Sequence, residues 1–107
     1  MENQNIPDDP DGEVIRGLIE DRFDFSKSHV IDFNVDFEEW PPAPEAIAAL
    51  RREYSDVEVI EEDNDDKYVL FQVEAKLTYD LVKKVQSRAT ELVSKYGGHC
   101  DSWGVLN

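Results

Sequence analysis

The chain has 107 residues, of which 25 are acidic and 11 are basic, so its formal net charge is −14. A surface with this charge repels nucleic acid and anionic membranes and attracts basic proteins. The length predicts a single domain with one modest core, and no apolar stretch approaches the roughly 20 residues of a membrane-spanning helix.

The N-terminal segment differs from the rest of the chain. Residues 1–10 contain acidic residues and two prolines but few apolar ones, which predicts a disordered acidic lead-in before a single domain over residues 11–107. The segment lacks the basic and apolar regions of a signal peptide. Cys100 is the one cysteine of the sequence and cannot form an internal disulfide, which fits a reducing cytoplasm.

Helical and strand periodicities follow each other along the rest of the sequence. Asp11 can cap a helix over about Gly12–Arg22. His29–Glu38 alternates apolar and polar residues and predicts a strand with one buried face. The Trp40–Pro44 turn ends this strand, because proline cannot continue a β-ladder. The remaining predicted elements are helix Pro44–Tyr54, strand Val57–Ile60, strand Lys67–Leu77, helix Tyr79–Tyr96 and strand His99–Leu106.

This order of elements predicts the fold. After the first helix it reads β-α-β-β-α-β, the split βαβ pattern of ferredoxin-like α+β proteins. We expect a four-stranded antiparallel sheet in the order 4-1-3-2, two helices on one face and an extra N-terminal helix. The first and third strands are the longest and most apolar, as central strands should be.

The acidic residues are concentrated. Asp56–Asp66 holds seven carboxylates and no lysine or arginine. In the predicted topology, the end of the first strand and the turn between the second and third strands lie at the same end of the sheet. A continuous negative patch for partner binding is therefore expected from eight residues: Asp36, Glu38, Glu39, Glu61, Glu62, Asp63, Asp65 and Asp66.

Several aromatic residues can serve as interface anchors. Tyr68 and Trp103 are predicted on the sheet face away from the two helices, among acidic residues. This face is either covered in part by the N-terminal helix or is itself a binding surface. Trp40 is either a hydrophobic staple for the following helix or an exposed anchor.

Catalytic and metal-binding patterns are weak. His99, Cys100 and Asp101 are consecutive on a strand, so His99 and Cys100 point apart and do not form a nucleophile pair. The turn at Asp63–Asp66 lacks the glycine and distal glutamate of a calcium loop. We therefore expect no enzyme activity, no catalytic residues, no cofactor and no metal.

The C-terminal region resembles a known family. Lys95–Val105 (KYGGHCDSWGV) follows a long amphipathic helix and contains Asp-Ser-Trp-Gly, which is similar to the Asp-Gly-Trp-Gly strand that ends proteins of the RraB family, the regulators of ribonuclease E activity of type B. The preceding elements are also similar, over about Glu13 to Val105. Ser102 stands where a glycine is usual, and the acidic C-terminal tail of some members is missing.

The resemblance implies a cytoplasmic bacterial protein with a ferredoxin-like fold that binds and inhibits an endoribonuclease of the ribonuclease E type, thereby modulating RNA decay. It implies a protein partner, ribonuclease E or another basic protein, and no direct contact with nucleic acid or membrane. The alternative on the same physical grounds is an immunity-type inhibitor of another basic enzyme.

Overall fold

Eight elements make up the computed structural model, which describes residues 6–62 and 67–105. In chain order they are α1 (Pro10–Glu20), β1 (Ser28–Phe37), α2 (Pro44–Glu53), β2 (Ser55–Glu61), β3 (Lys67–Lys76), α3 (Tyr79–Val93), a 3-10 turn (Ser94–Tyr96) and β4 (Gly98–Val105). The predicted α+β class and element order are therefore confirmed. None of the helices in these ranges is long and apolar enough to cross a membrane.

The four strands form one antiparallel sheet. Its order is β2-β3-β1-β4, which is 4-1-3-2 read from the opposite edge. The long apolar strands β1 and β3 are central and pair with Phe33 opposite Phe71. Apolar and polar residues alternate along β1 and β3, so the apolar side chains of both strands lie on the same face of the sheet.

The core lies between that face and the helices α2 and α3. Phe33 and Phe71 are fully buried, and their rings stack with centroids 5.4 Å apart. Tyr54, which follows α2, stacks on Phe71 at 4.2 Å. From the helices, the buried residues of this core are Ala46, Ile47, Leu50, Val82, Val85, Ala89 and Val93.

The N-terminal helix starts earlier than the sequence predicts. Asp9, rather than Asp11, is the N-cap, and its Oδ1 accepts a hydrogen bond of 2.7 Å from the Gly12 amide. Pro10 occupies the first turn, where its missing amide hydrogen costs nothing. Ile6 is buried just before this helix, and its carbonyl accepts a bond of 2.7 Å from Arg16 Nη2.

The helix α1 packs against α3 and so extends the helical layer. The predicted alternative in which α1 covers the opposite sheet face is therefore wrong. The opposite face carries no helix among residues 6–62 and 67–105.

An irregularity in β4 changes the direction of Trp103. Val35 lies opposite Cys100, but Asn34 lies opposite Ser102, so Asp101 is an extra residue in the ladder. Such a bulge shifts the alternation of all later side chains by one position. Trp103 is consequently opposite the buried Phe33 and packs against the core. Its predicted place on the sheet face away from the two helices is wrong.

Candidate protein-binding surface

Two acidic segments meet at one end of the sheet. Because the strands are antiparallel, β1 and β2 both end where β3 begins: Val35 lies opposite Val69, and Glu61 lies opposite Lys67. The exposed carboxylates of this acidic end are Glu38 and Glu39 after β1, and Glu61 and Glu62 at the end of β2. Asp36 belongs to the same end, near the start of β4. Asp63, Asp65 and Asp66 lie outside the described residues.

Trp40 joins these two acidic segments. Its indole Nε1 donates a hydrogen bond of 2.7 Å to Glu61 Oε1. The ring is partly buried and packs against the core. Trp40 therefore connects the loop after β1 to the end of β2.

The outer face of the sheet adjoins this end. Tyr68 lies opposite Ile60, and Glu58 lies opposite Leu70, so apolar and acidic side chains alternate across the strands. Val30 is 46% exposed on the same face. Gln72 Nε2 donates to Asp32 Oδ1 at 2.8 Å, which orders the centre of the face. Tyr68 is thus a half-buried aromatic residue at the boundary between the outer face and the acidic end.

Trp103 belongs to a polar network on the other side of the sheet. Its Nε1 donates a bond of 2.9 Å to Asp11 Oδ1, which also accepts from Gln86 Nε2 at 3.4 Å. Lys83 Nζ lies 2.7 Å from Asp11 Oδ2, and Asp11 is only 7% exposed. The network therefore ties α1 to α3 and β4. Sequence reasoning missed it because Asp11 appeared to be a helix cap.

Asp9, the N-cap residue of α1, belongs to the same network. The Tyr79 hydroxyl donates to Asp9 Oδ2 at 2.6 Å, and this bond is the largest cause of a lowered pKa for Asp9. The bond to Asp11 likewise raises the pKa of Lys83. Both shifts favour the charged forms of Asp9 and Lys83, so these bonds strengthen the connection between α1 and α3.

One group of side chains could contact a cation. The ligand atoms of Asp36, His99 and Asp101 lie within 4.8 Å of one another, because the bulge brings Asp101 beside the end of β1. His99 Nε2 is 3.5 Å from Asp101 Oδ2. Both residues are exposed, so water competes for any cation, and the arrangement is that of a weak, open site.

Cys100 is unsuited to nucleophilic chemistry. Its side chain is buried, and burial raises the pKa of the thiol to about 12. The reactive thiolate is therefore almost absent at neutral pH.

A protein-family model matches most of the chain. The family model described as regulator of ribonuclease activity B (RraB) matches residues 8–105. None of the curated proteins compared with the chain matches it. The family match runs from the residues just before α1 to the last residue of β4, and therefore includes both the acidic end and the Asp11 network. The chain belongs to the RraB family.

Proposed function

We propose that this protein binds an endoribonuclease of the ribonuclease E type, lowers its activity and thereby slows RNA decay in the bacterial cytoplasm. The family description, a regulator of ribonuclease activity, supports the class of partner. The proposal gives the protein no chemistry of its own and no direct contact with RNA. The observation that carries it is the acidic end, where two carboxylate-rich segments meet.

The charge of this end suits the proposed partner. Ribonucleases hold RNA phosphates with lysine and arginine side chains, and carboxylates can occupy such surfaces in place of phosphate. Glu38, Glu39, Glu61 and Glu62 are exposed at the same end of the sheet, with Lys67 as the opposing charge in the ladder. In the proposal, Asp36, Asp63, Asp65 and Asp66 complete the contact surface.

Tyr68 is the proposed aromatic anchor. It lies on the outer face opposite Ile60, one residue after the start of β3 at the acidic end. In the proposal, a partner that binds the carboxylates of this end also reaches the ring. Trp103 is on the opposite face, and its indole N–H already donates to Asp11. A contact through Trp103 would require a second partner surface.

The test removes charge at the acidic end. A variant with Glu38, Glu39, Glu61 and Glu62 all changed to Gln is compared with a matched variant that carries Glu13→Gln, Glu20→Gln, Asp21→Asn and Glu74→Gln. Both variants lose four negative charges, but the second set lies away from the acidic end. Association with the purified ribonuclease E-type enzyme of the same organism is measured at several salt concentrations, together with cleavage of a fluorogenic RNA.

The two variants should differ. We expect the acidic-end variant to associate at least about tenfold more slowly at low salt, to show a weaker salt dependence and to inhibit cleavage less, because steering charges act on the association rate. The matched variant should remain close to the wild type. Equal association by the acidic-end variant and the wild type at every salt concentration would contradict the proposal.

A further inference from the structure

The described part of the chain has an apolar groove beside the edge strand β2. It has a volume of about 620 Å³ and is lined by the prolines of the loop before α2, by one side of α2 and by Val59. Its α2 residues Pro44, Ala48 and Arg52 are four residues apart and therefore lie along one side of the helix. Val59 is 44% exposed at the groove, although its side chain is on the same sheet face as the core.

Two arginines stand at one end of this groove. Arg51 and Arg52 are both exposed and lie in the last turn of α2. Among residues 6–62 and 67–105, no carboxylate oxygen lies within 4.0 Å of either guanidinium group. Arg51 has a protein partner in the Val57 carbonyl oxygen, at the long distance of 3.5 Å.

The groove therefore has its positive charge at one end only. The helix α2 begins near the acidic end and runs away from it, so Arg51 and Arg52 are at the far end of the groove. The prolines and Ala48 form its apolar middle part. In a chain with a net charge of −14, this is a local site where an anionic group is attracted and not repelled.

We propose that this groove binds a short segment of a partner protein in which an apolar side chain is followed or preceded, within about four residues, by an aspartate or glutamate. The apolar side chain fills the space between Ala48 and Val59. The carboxylate pairs with Arg51 and Arg52, where a planar guanidinium can form two parallel hydrogen bonds. This binding site uses none of the carboxylates of the acidic end and does not depend on the proposed regulation of a ribonuclease.

The test starts with a library of random 12-residue peptides displayed on phage and selected on the immobilised full chain. Enriched peptides are synthesised with a fluorescein label, and their affinity is measured by fluorescence anisotropy. Ala48→Tyr fills the groove, and Arg51→Gln with Arg52→Gln removes its positive charge. Lys76→Gln with Lys84→Gln is the matched control, because it removes two exposed positive charges away from the groove. Circular dichroism checks that each variant is folded.

The expected result is enrichment of peptides with an apolar residue and a nearby Asp or Glu. Their affinity should fall at least about tenfold in the groove-filling variant and in the arginine variant, as for the loss of a charged hydrogen-bonded pair, and should stay unchanged in the lysine control. Peptide binding should survive the four Glu→Gln changes at the acidic end, which separates this site from the ribonuclease contact.

Three results would overturn the proposal: no enriched peptide, enriched peptides without acidic residues, or equal binding to the wild type and the arginine variant. Amide chemical shifts localise the site independently of the variants. On addition of an enriched peptide, the largest changes should occur at Ala48, Arg51 and Val59.

Discussion

Trp103 donates its indole hydrogen to the Asp11 carboxylate over 2.9 Å and so connects the last strand to the first helix across 92 positions of sequence. The same carboxylate accepts from Gln86 and Lys83 of α3. A carboxylate with 7% exposure is stable in this position because three donors from two elements surround it.

Removal of this carboxylate should destabilise the fold. We expect Asp11→Ala to lower the free energy of unfolding by about 1–3 kcal/mol, since it leaves the Trp103 and Gln86 donors without their acceptor. Trp103→Phe keeps an aromatic ring at the core and should cost only about 1 kcal/mol. Urea denaturation measures both values. If Asp11→Ala were as stable as the wild type, the network would contribute nothing.

The stacked phenylalanines should be the most sensitive positions of the core. Phe33 and Phe71 are fully buried, so Phe33→Ala or Phe71→Ala should cost roughly 3–5 kcal/mol through lost burial and a residual cavity. Val30→Ala is the control, because Val30 is 46% exposed on the outer face. If either phenylalanine variant lost less free energy of unfolding than Val30→Ala, the assignment of these rings to the core would be contradicted.

Acid should weaken the attachment of α1 through Asp9. Hydrogen bonds from Tyr79 and Gly12 lower the pKa of Asp9 below 3.8 in the folded protein. Its stabilising contribution is therefore present above that pH and is lost as the pH falls through the folded pKa. The protection factors of the α1 amides, corrected for the intrinsic pH dependence of exchange, should fall on acidification. In Tyr79→Phe the fall should be smaller and should be complete at a higher pH, because the folded pKa of Asp9 is then nearer its ordinary value. Identical profiles for the two proteins would refute the role of this bond.

Cys100 should react only when the protein unfolds. Burial raises its pKa to about 12, so a thiol reagent such as Ellman's reagent should modify it slowly at pH 8 in the native protein and rapidly in urea. The free energy of unfolding should fall as the pH rises above 9.0, the ordinary pKa of a cysteine thiol. The reason is that the Cys100 thiol ionises at a lower pH in the unfolded chain than in the folded protein. This alkaline loss should be smaller in Cys100→Ala, and a loss of equal size would contradict the prediction.

Neutralisation of the acidic end should leave the fold intact. Glu38, Glu39 and Glu62 are exposed, and Gln at position 61 keeps an oxygen that accepts from Trp40. We expect the four Glu→Gln changes to alter the free energy of unfolding by no more than about 0.5 kcal/mol each, with a net gain at low salt from reduced repulsion. A large loss of stability in thermal denaturation would show that these carboxylates have a structural role.

Local sequence determined the element order, the strand order and the identity of the core. Helical and strand periodicities are properties of neighbouring residues, and the alternation in His29–Glu38 alone assigns Phe33 to the core and Asp32 to the outer face. The adjacency of the acidic segments followed from the topology, and the described residues Glu38, Glu39, Glu61 and Glu62 do share one end of the sheet.

Tertiary structure decided the direction of Trp103, the role of Asp11 and the existence of the groove beside Val59. The bulge at Asp101 depends on how β4 pairs with β1, and one extra residue reverses the alternation on which the sequence prediction relied. The Asp11 network joins residues that are up to 92 positions apart, so no local pattern indicates it. The groove is likewise formed by a loop, a helix and a strand that only packing brings together.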